Sequence, residues 1–394
     1  MRIVFYCQEF SPANKSNYLS VGASGTVSAV VLASHGLTQL GHNVTVLNRS
    51  ESGNYEGTQY LKTTSQEDVI ESLKGFDEVD VFVANGWAAD IFLKHQVKAK
   101  KRVYWIHNFI DQKPFVNLIK QGRLDYIFCI SVNQLGTWYR TPIFSKITQI
   151  YNCIDTSVIE AIPELPQKEK KLMVIGAPRQ SKGFHDALRV FDQFSRRNPG
   201  YTLYVAGAAS LHGSATTLSD NGIFEKEYEE TYLRPFLANQ DGYPRKDLVL
   251  LGNISRKEVL EHLGTTRVAL QNPSWVSEPE VHSVAALEVQ AMGVPVVSTF
   301  RGGQPEVIKD GITGILAKRK SDECLVSALE QIVRNDQLAE RMSSAAKSHV
   351  MNNFTVQKIA LDWECALAIV IEGKNFRGNY YRSIRSKIRH KLFW

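Results

Sequence analysis

The chain lacks any run of 18 consecutive apolar residues, so no segment is expected to cross a membrane as a helix. It also lacks a Cys-x-x-Cys pair. Its five cysteines, Cys7, Cys129, Cys153, Cys324 and Cys365, are scattered over 394 residues. Three of them lie in apolar strand-like or helical runs, so buried thiols in a reducing compartment are expected and disulfides are not. No cluster of His, Cys and Asp has metal-ligand spacing, and neither a metal nor a cofactor is expected. There is no internal repeat and no low-complexity segment. No signal peptide is expected, because Met1-Arg-Ile-Val-Phe-Tyr-Cys7 enters a strand directly. Acidic residues are missing from 374–394, which holds Lys374, Arg377, Arg382, Arg385, Lys387, Arg389 and Lys391. The whole chain carries +6, so the remainder is within one charge of neutral. A near-neutral body excludes a nucleic-acid-binding surface as its main feature. The basic tail predicts an anionic partner such as a membrane surface.

What is present is the composition of a soluble globular protein, 43% hydrophobic and 22% charged, with length enough for two domains. Short apolar strands alternate with helical patterns. Strands are predicted at Arg2–Cys7, Asn43–Leu47, Val79–Ala84, Arg102–Ile106, Tyr126–Ile130 and Lys146–Tyr151, and a helix at Ser24–Leu40 ended by Gly41. A linker rich in Pro, Glu and Lys follows. The alternation then restarts, with strands at Leu172–Gly176, Thr202–Gly207, Leu248–Gly252, Val268–Gln271 and Val294–Ser298, and helices at Gly183–Arg197, Arg256–Gly264, Ser283–Met292 and beyond Ser321. The connection Ala209–Pro244 is long, with one helical piece predicted at Phe224–Leu237. Two β-α-β domains imply a ligand at the C-terminal ends of the strands.

The most informative stretch runs from Glu280 through Glu288 to Gly314. Glu280 and Glu288 are eight residues apart, and Gly293-Val-Pro295, Gly302-Gly303-Gln-Pro305-Glu306 and Gly311-Ile-Thr-Gly314 follow. One carboxylate falls in a loop and the other about two turns into a helix, so each could hold a different hydroxylated part of one ligand. Alone, two glutamates at this spacing are ordinarily solvated surface. The whole run resembles the E-x7-E signature of retaining, nucleotide-sugar-dependent glycosyltransferases of the GT-B fold, family-4 type. The resemblance covers about residues 1–372 and is specific from Gly252 to Leu316.

Other residues take their expected roles from that resemblance. Gly22, Ser24 and Gly25 lie in the loop that the family places near the donor diphosphate; locally they read equally well as a βα turn with a Ser cap. Arg179 and Lys182, in Gly176-Ala-Pro-Arg179-Gln-Ser-Lys182-Gly183, resemble the G-R-x-x-x-x-K-G pattern whose cations hold the diphosphate. Arg179 comes two positions late, and a surface Arg/Lys pair is the plain alternative. His107 ends a strand where the family carries a histidine near the sugar. Asn253 and Ile254 resemble the G-x-[VI] turn that reads the base through its backbone, although a plain turn looks the same. Val284 and Ala285 would offer N–H groups at a helix N-terminus to phosphate. Glu280 is expected to hold sugar hydroxyls and Glu288 the ribose. Glu278 is the competitor for the first carboxylate; Glu280 is favoured because it keeps the spacing. The neighbours Val281-His282-Ser283 replace the usual Gly-Phe-Gly.

The resemblance thus implies an α/β GT-B fold, two Rossmann-like domains facing a central cleft with a C-terminal crossover helix. The expected divisions are 1–155, a linker 156–170, 171–354, the helix at 355–372 and a basic amphipathic tail at 373–394. The implied activity is retaining, metal-independent hexosyl transfer from a nucleotide diphosphate-sugar, UDP- before GDP-, to a glycan or lipid-linked acceptor. Bacterial surface polysaccharide synthesis, in the cytoplasm or peripherally on the inner membrane, is the expected setting. An epimerase or phosphorylase on the same fold, and an inactive scaffold, are the alternatives. In the tail, Tyr380, Tyr381, Ile384, Ile388 and Leu392 follow helical spacing beside the basic residues, which suits an interfacial helix; packing on the body is the other reading.

Overall fold

The computed structural model describes residues 1–8, 12–20, 23–162, 168–209, 217–238, 242 and 244–376. The chain forms two compact units, Met1–Ile154 with Phe354–Trp394, and Asp155–Asn353. Gly22 and the tail beyond residue 376 lie outside the described residues.

The first unit runs β1 Arg2–Cys7, α1 Gly25–Gln39, β2 Asn43–Asn48, β3 Gly53–Tyr55, β4 Thr58–Lys62, α2 Gln66–Lys74, β5 Val81–Asn85, α3 Asp90–Lys94, β6 Lys101–Ile106, α4 Lys113–Lys120, β7 Tyr126–Cys129, α5 Val132–Thr137 and β8 Ile147–Gln149. Its eight strands lie in the order β3-β4-β2-β1-β5-β6-β7-β8, parallel except for the β3–β4 hairpin. Residues Ile3 to Cys7 of β1 are all buried, as a strand covered on both faces must be. The β3–β4 hairpin was not foreseen. Its signal is Glu56-Gly57, where both residues take positive φ in a tight turn.

The second unit runs α6 Thr156–Glu160, β9 Lys171–Ile175, α7 Phe184–Arg197, β10 Thr202–Ala206, α8 Lys226–Tyr228, a π-helical stretch Glu229–Leu233, α9 Arg234–Leu237, β11 Leu248–Gly252, α10 Arg256–Thr265, β12 Val268–Leu270, α11 Val284–Ala291, β13 Val296–Thr299, α12 Gln304–Val307, β14 Gly314–Ala317, α13 Asp322–Val333 and α14 Asp336–Asn353. Its six parallel strands are ordered β11-β10-β9-β12-β13-β14. The order grows outward in both directions from β9 and β12, so these two strands flank the topological switch point. Loops leaving them part to opposite faces and open a crevice at their C-terminal ends. The helical piece predicted at 224–237 is found as one continuous helical run over 226–237, widened to π-helix at Glu229–Leu233. Pro235 has no N–H to give, and a wider turn precedes it.

The last helix, α15 Val356–Ile371, belongs to the first unit and packs along α1. Gly36 permits the approach: a Cβ there would stand 2.9 Å from both Ala360 Cβ and Val356 Cγ1. Trp363 of α15 is fully buried among Phe5, Trp105 and Phe128, with ring centroids 5.4, 4.9 and 5.2 Å away. None of the five cysteines is in a disulfide; Cys7, Cys129 and Cys153 are buried, Cys324 intermediate and Cys365 exposed. No helix among the described residues is long and apolar enough to cross a membrane.

Candidate functional site

At the switch point of the second unit two of the sequence-derived residues, Lys182 and Glu280, meet. After β9 the chain makes a short 3-10 turn, Gln180–Lys182, and enters α7 through Gly183 at φ 67°. Only glycine fits there: φ is left-handed, and a Cβ would collide with the Ser274 side chain. The turn delivers Lys182 to the crevice. After β12 comes Asn272, also at positive φ, then the loop that carries Glu280. Lys182 Nζ lies 2.8 Å from Glu280 Oε2. Asn272 Nδ2 donates to the same oxygen at 3.2 Å, and Gln304 Nε2 donates to Asn272 Oδ1 at 3.4 Å. Segments after β9 and β12 thus meet on one carboxylate, and the segment after β13 reaches it through Asn272.

The glycine pair after β13 clamps that loop from behind. Gly303 N–H donates to the Glu280 carbonyl at 2.7 Å. A Cβ on Gly302 would meet the Glu280 carbonyl oxygen, and one on Gly303 the Val281 carbonyl oxygen. Backbone lies against backbone, which explains the Gly-Gly in the sequence.

Charge is balanced in this network. Burial pushes the Glu280 carboxyl up, but Lys182, His282 and the Asn272 amide outweigh it and hold its pKa below the usual range. The Glu280 charge in turn raises the Lys182 ammonium, against the effect of burial. Lys182 keeps 46% of its side chain accessible while Glu280 keeps 18%. An ammonium has three donors, so Lys182 can hold Glu280 and still reach an anion.

Glu288 lies in a helix as expected, but nearer its start. It lies one turn inside α11, is 7% exposed, and is ion-paired with Arg256 Nε of α10. Ser283 caps α11 by accepting from Ala286 N–H at 3.1 Å. The N–H groups of Val284 and Ala285 sit in the first turn, where an intrahelical partner is not available. Asn253 and Ile254 follow β11, whose last residue Gly252 has φ 66°, and Ile254 N–H returns to the Gly252 carbonyl at 3.2 Å. Arg179 is ion-paired with Glu225 at 3.7 Å, and its Nη2 donates to the Ala209 carbonyl.

The first unit places its residues at its own strand ends. Ser24 caps α1, accepting from Val27 N–H at 3.2 Å, and Gly25 opens that helix. His107 directly follows β6, is buried, and meets the Trp105 ring edge-on at 4.5 Å. Sequence reasoning missed Asn272, Arg256, Gln304 and Glu225. Asn272 stood in view beside Pro273; the others are contacts of tertiary origin with no local signal. Among the described residues no group of three or more His, Cys, Asp or Glu is arranged to hold a metal.

Residues 155–349 match the family model described as Glycosyl transferases group 1. A glycogen synthase of Mycobacterium tuberculosis is 24% identical over 270 residues, which are 68% of this chain and 59% of that protein. A D-inositol 3-phosphate glycosyltransferase of Corynebacterium diphtheriae is 27% identical over 188 residues, 48% of this chain and 40% of that protein. The chain therefore spans less than two thirds of the length of these relatives. Among solved structures, the sucrose-phosphate synthase of Thermosynechococcus elongatus superposes with TM-score 0.69 at 16% identity, covering 95% of this chain and all of that one. The Anabaena protein Alr3699/HepE in complex with UDP-glucose superposes with TM-score 0.67 at 14% identity, covering 93% and 99%. Residues 155–349 are thus similar to glycosyl transferases group 1, and the superpositions show the GT-B fold of two parallel-sheet domains.

Proposed function

We propose that this chain is a retaining glycosyltransferase that moves a sugar from a nucleoside diphosphate-sugar to a glycan or lipid-linked acceptor. The observation that carries the reading is the Lys182–Glu280–Asn272 network at the switch point of the second unit's sheet. A carboxylate held ionised and partly buried binds sugar hydroxyls through charge-assisted bonds. A lysine beside it meets the phosphate that develops charge as the sugar leaves. Arg179 and the α11 N-terminus at Val284 and Ala285 add to that positive field, and Glu288 is assigned to the ribose. The turn at Asn253 and Ile254 is assigned to the base. Of the first unit we assign Ser24, Gly25 and His107 to phosphate and sugar contact.

In this reaction the bond between the anomeric carbon and the phosphate oxygen breaks. The acceptor hydroxyl forms the new bond on the same face, and its proton passes to the departing phosphate. Basic side chains supply the charge that a metal supplies elsewhere. UDP is favoured over GDP as carrier because a structural neighbour is a complex with UDP-glucose. The acceptor in this reading belongs to a bacterial surface polysaccharide, and residues 374–394 bring a cytoplasmic enzyme to an anionic membrane face.

The test incubates the protein with a panel of UDP- and GDP-sugars, with and without EDTA, and follows slow donor hydrolysis. Release of UDP from at least one donor, unchanged by EDTA, is expected. No release from any donor favours an inactive scaffold. Interconversion of sugars without release of the nucleotide favours an epimerase. Activity lost in EDTA and restored by manganese would remove the metal-independent part of the reading.

A further inference from the structure

Arg179 sits two positions later than the arginine of the sequence pattern it resembles, so its guanidinium starts from a different point on the turn. The long connection after β10 meets it there. We propose that Glu225, in that connection, is a positioning residue for Arg179 and fixes the guanidinium for the donor diphosphate; the inference rests on the donor-site reading above. Glu225 Oε1 lies 3.7 Å from Arg179 Nε, and the Ala209 carbonyl accepts from Arg179 Nη2. Both partners belong to the same connection. One hydrogen bond and one charge contact, on different nitrogens, hold the guanidinium in place.

Glu225 is itself held. It bridges to Leu218 as an antiparallel pair, Ser219 N–H donates to the Phe224 carbonyl at 3.0 Å, and Lys226 N–H donates to the Thr217 carbonyl at 3.0 Å. The preceding Phe224 is fully buried and stacks on Phe184, with centroids 5.6 Å apart at 29°. Three residues on, Tyr228 OH accepts from His185 N–H at 2.9 Å. That bond caps α7, whose N-cap Gly183 has no side chain to do so. The connection therefore grips the turn on both sides, Arg179 before it and His185 after it. A long, flexible arginine oriented before the ligand arrives has less freedom to lose on binding.

Binding of UDP and of uridine, with GDP and guanosine as the second pair, is measured by calorimetry on the full chain and on Glu225→Ala, Glu225→Gln, Arg179→Ala and the double variant Arg179→Ala/Glu225→Ala. Glu225→Ala is expected to weaken diphosphate binding about tenfold and leave the nucleoside unchanged, since only the diphosphate meets Arg179. Glu225→Gln keeps an acceptor oxygen and should stay within about threefold of the parent. The double variant should be no weaker than Arg179→Ala alone, because the two act through one contact. Equal loss of diphosphate and nucleoside, or losses that add in the double variant, would overturn the proposal in favour of a structural role. Tighter diphosphate binding in both Glu225 variants would overturn it in favour of simple charge repulsion. A parent that binds neither diphosphate overturns the donor-site reading and this proposal together; a parent that binds, with Glu225→Ala unchanged, overturns this proposal alone.

Discussion

Glu280 is the residue on which the proposed site turns, because Lys182 and Asn272 both meet its carboxylate. Glu280→Ala removes an ionised acceptor that costs about 1.5–3 kcal/mol to lose, or about 10–150-fold in transfer. Far-ultraviolet circular dichroism should be unchanged. Glu278→Ala should be several-fold milder in the same assay; the reverse order would make Glu278 the motif carboxylate. The ion pair with Lys182 also sets a pH window. The carboxyl is held below its ordinary 4.5, so its contribution is present above 4.5 and lost as pH falls through the lowered value. The ammonium is held above its ordinary 10.5, so its contribution is present below 10.5 and lost as pH rises through the raised value. UDP affinity should therefore show no inflection from this pair between those two ordinary values. An inflection there that disappears in Glu280→Gln would contradict the assignment. Glu280, Glu288 and Lys182 were visible as spacing. Their partners were not: Asn272 is eight residues from Glu280 and Arg256 is 32 from Glu288, and no local period links either pair.

At the scale of elements, two features fix where functional groups stand. Helix α15 sends Trp363 into the first unit's aromatic core, against Trp105, which also meets the His107 ring. Trp363→Ala should cost about 3–5 kcal/mol of that unit's stability. Denaturant unfolding followed by fluorescence checks it, and an unchanged midpoint would show that the core closes over the gap. The Gly302-Gly303 turn holds the Glu280 loop by backbone contact. Gly303→Ala should raise the KM for donor, with a stability loss of roughly 1–3 kcal/mol. Wild-type KM in that variant would separate the turn from the site. Strand and helix bounds were mostly legible to within two residues, since apolar runs and glycine stops are local. The helix predicted at 224–237 was legible too, but not its π-helical stretch at Glu229–Leu233, which sits where the Tyr228, Tyr232 and His185 rings pack together.

For the whole molecule, the division of labour follows the division of charge. The body is near neutral, and residues 374–394 hold seven Lys and Arg and no Asp or Glu. The last described residue, Phe376, is buried against Tyr126 and Phe128, and Tyr126 OH donates to the Lys374 carbonyl at 2.8 Å. The root of the tail is thus anchored in the first unit. Each basic residue near an anionic surface adds about 1 kcal/mol of attraction. Deleting residues 377–394 should keep donor hydrolysis and abolish sedimentation with vesicles containing anionic lipid at low salt. Equal sedimentation of the two proteins would place membrane attachment elsewhere.

Local chemistry written in the chain determined the alternation of strands and helices, the turns that only glycine can make, and the spacing of Glu280, Glu288 and Lys182. Period and φ preference are properties of neighbouring residues, so they survive in one dimension. The tertiary structure alone decided that β9 and β12 are adjacent, and with that the meeting of Lys182 and Glu280, which are 98 residues apart. It alone gave Arg179 to Glu225, Glu288 to Arg256 and Trp363 to the first unit's core. Such contacts are set by strand order and by which faces must be buried, and no short stretch of sequence carries that information.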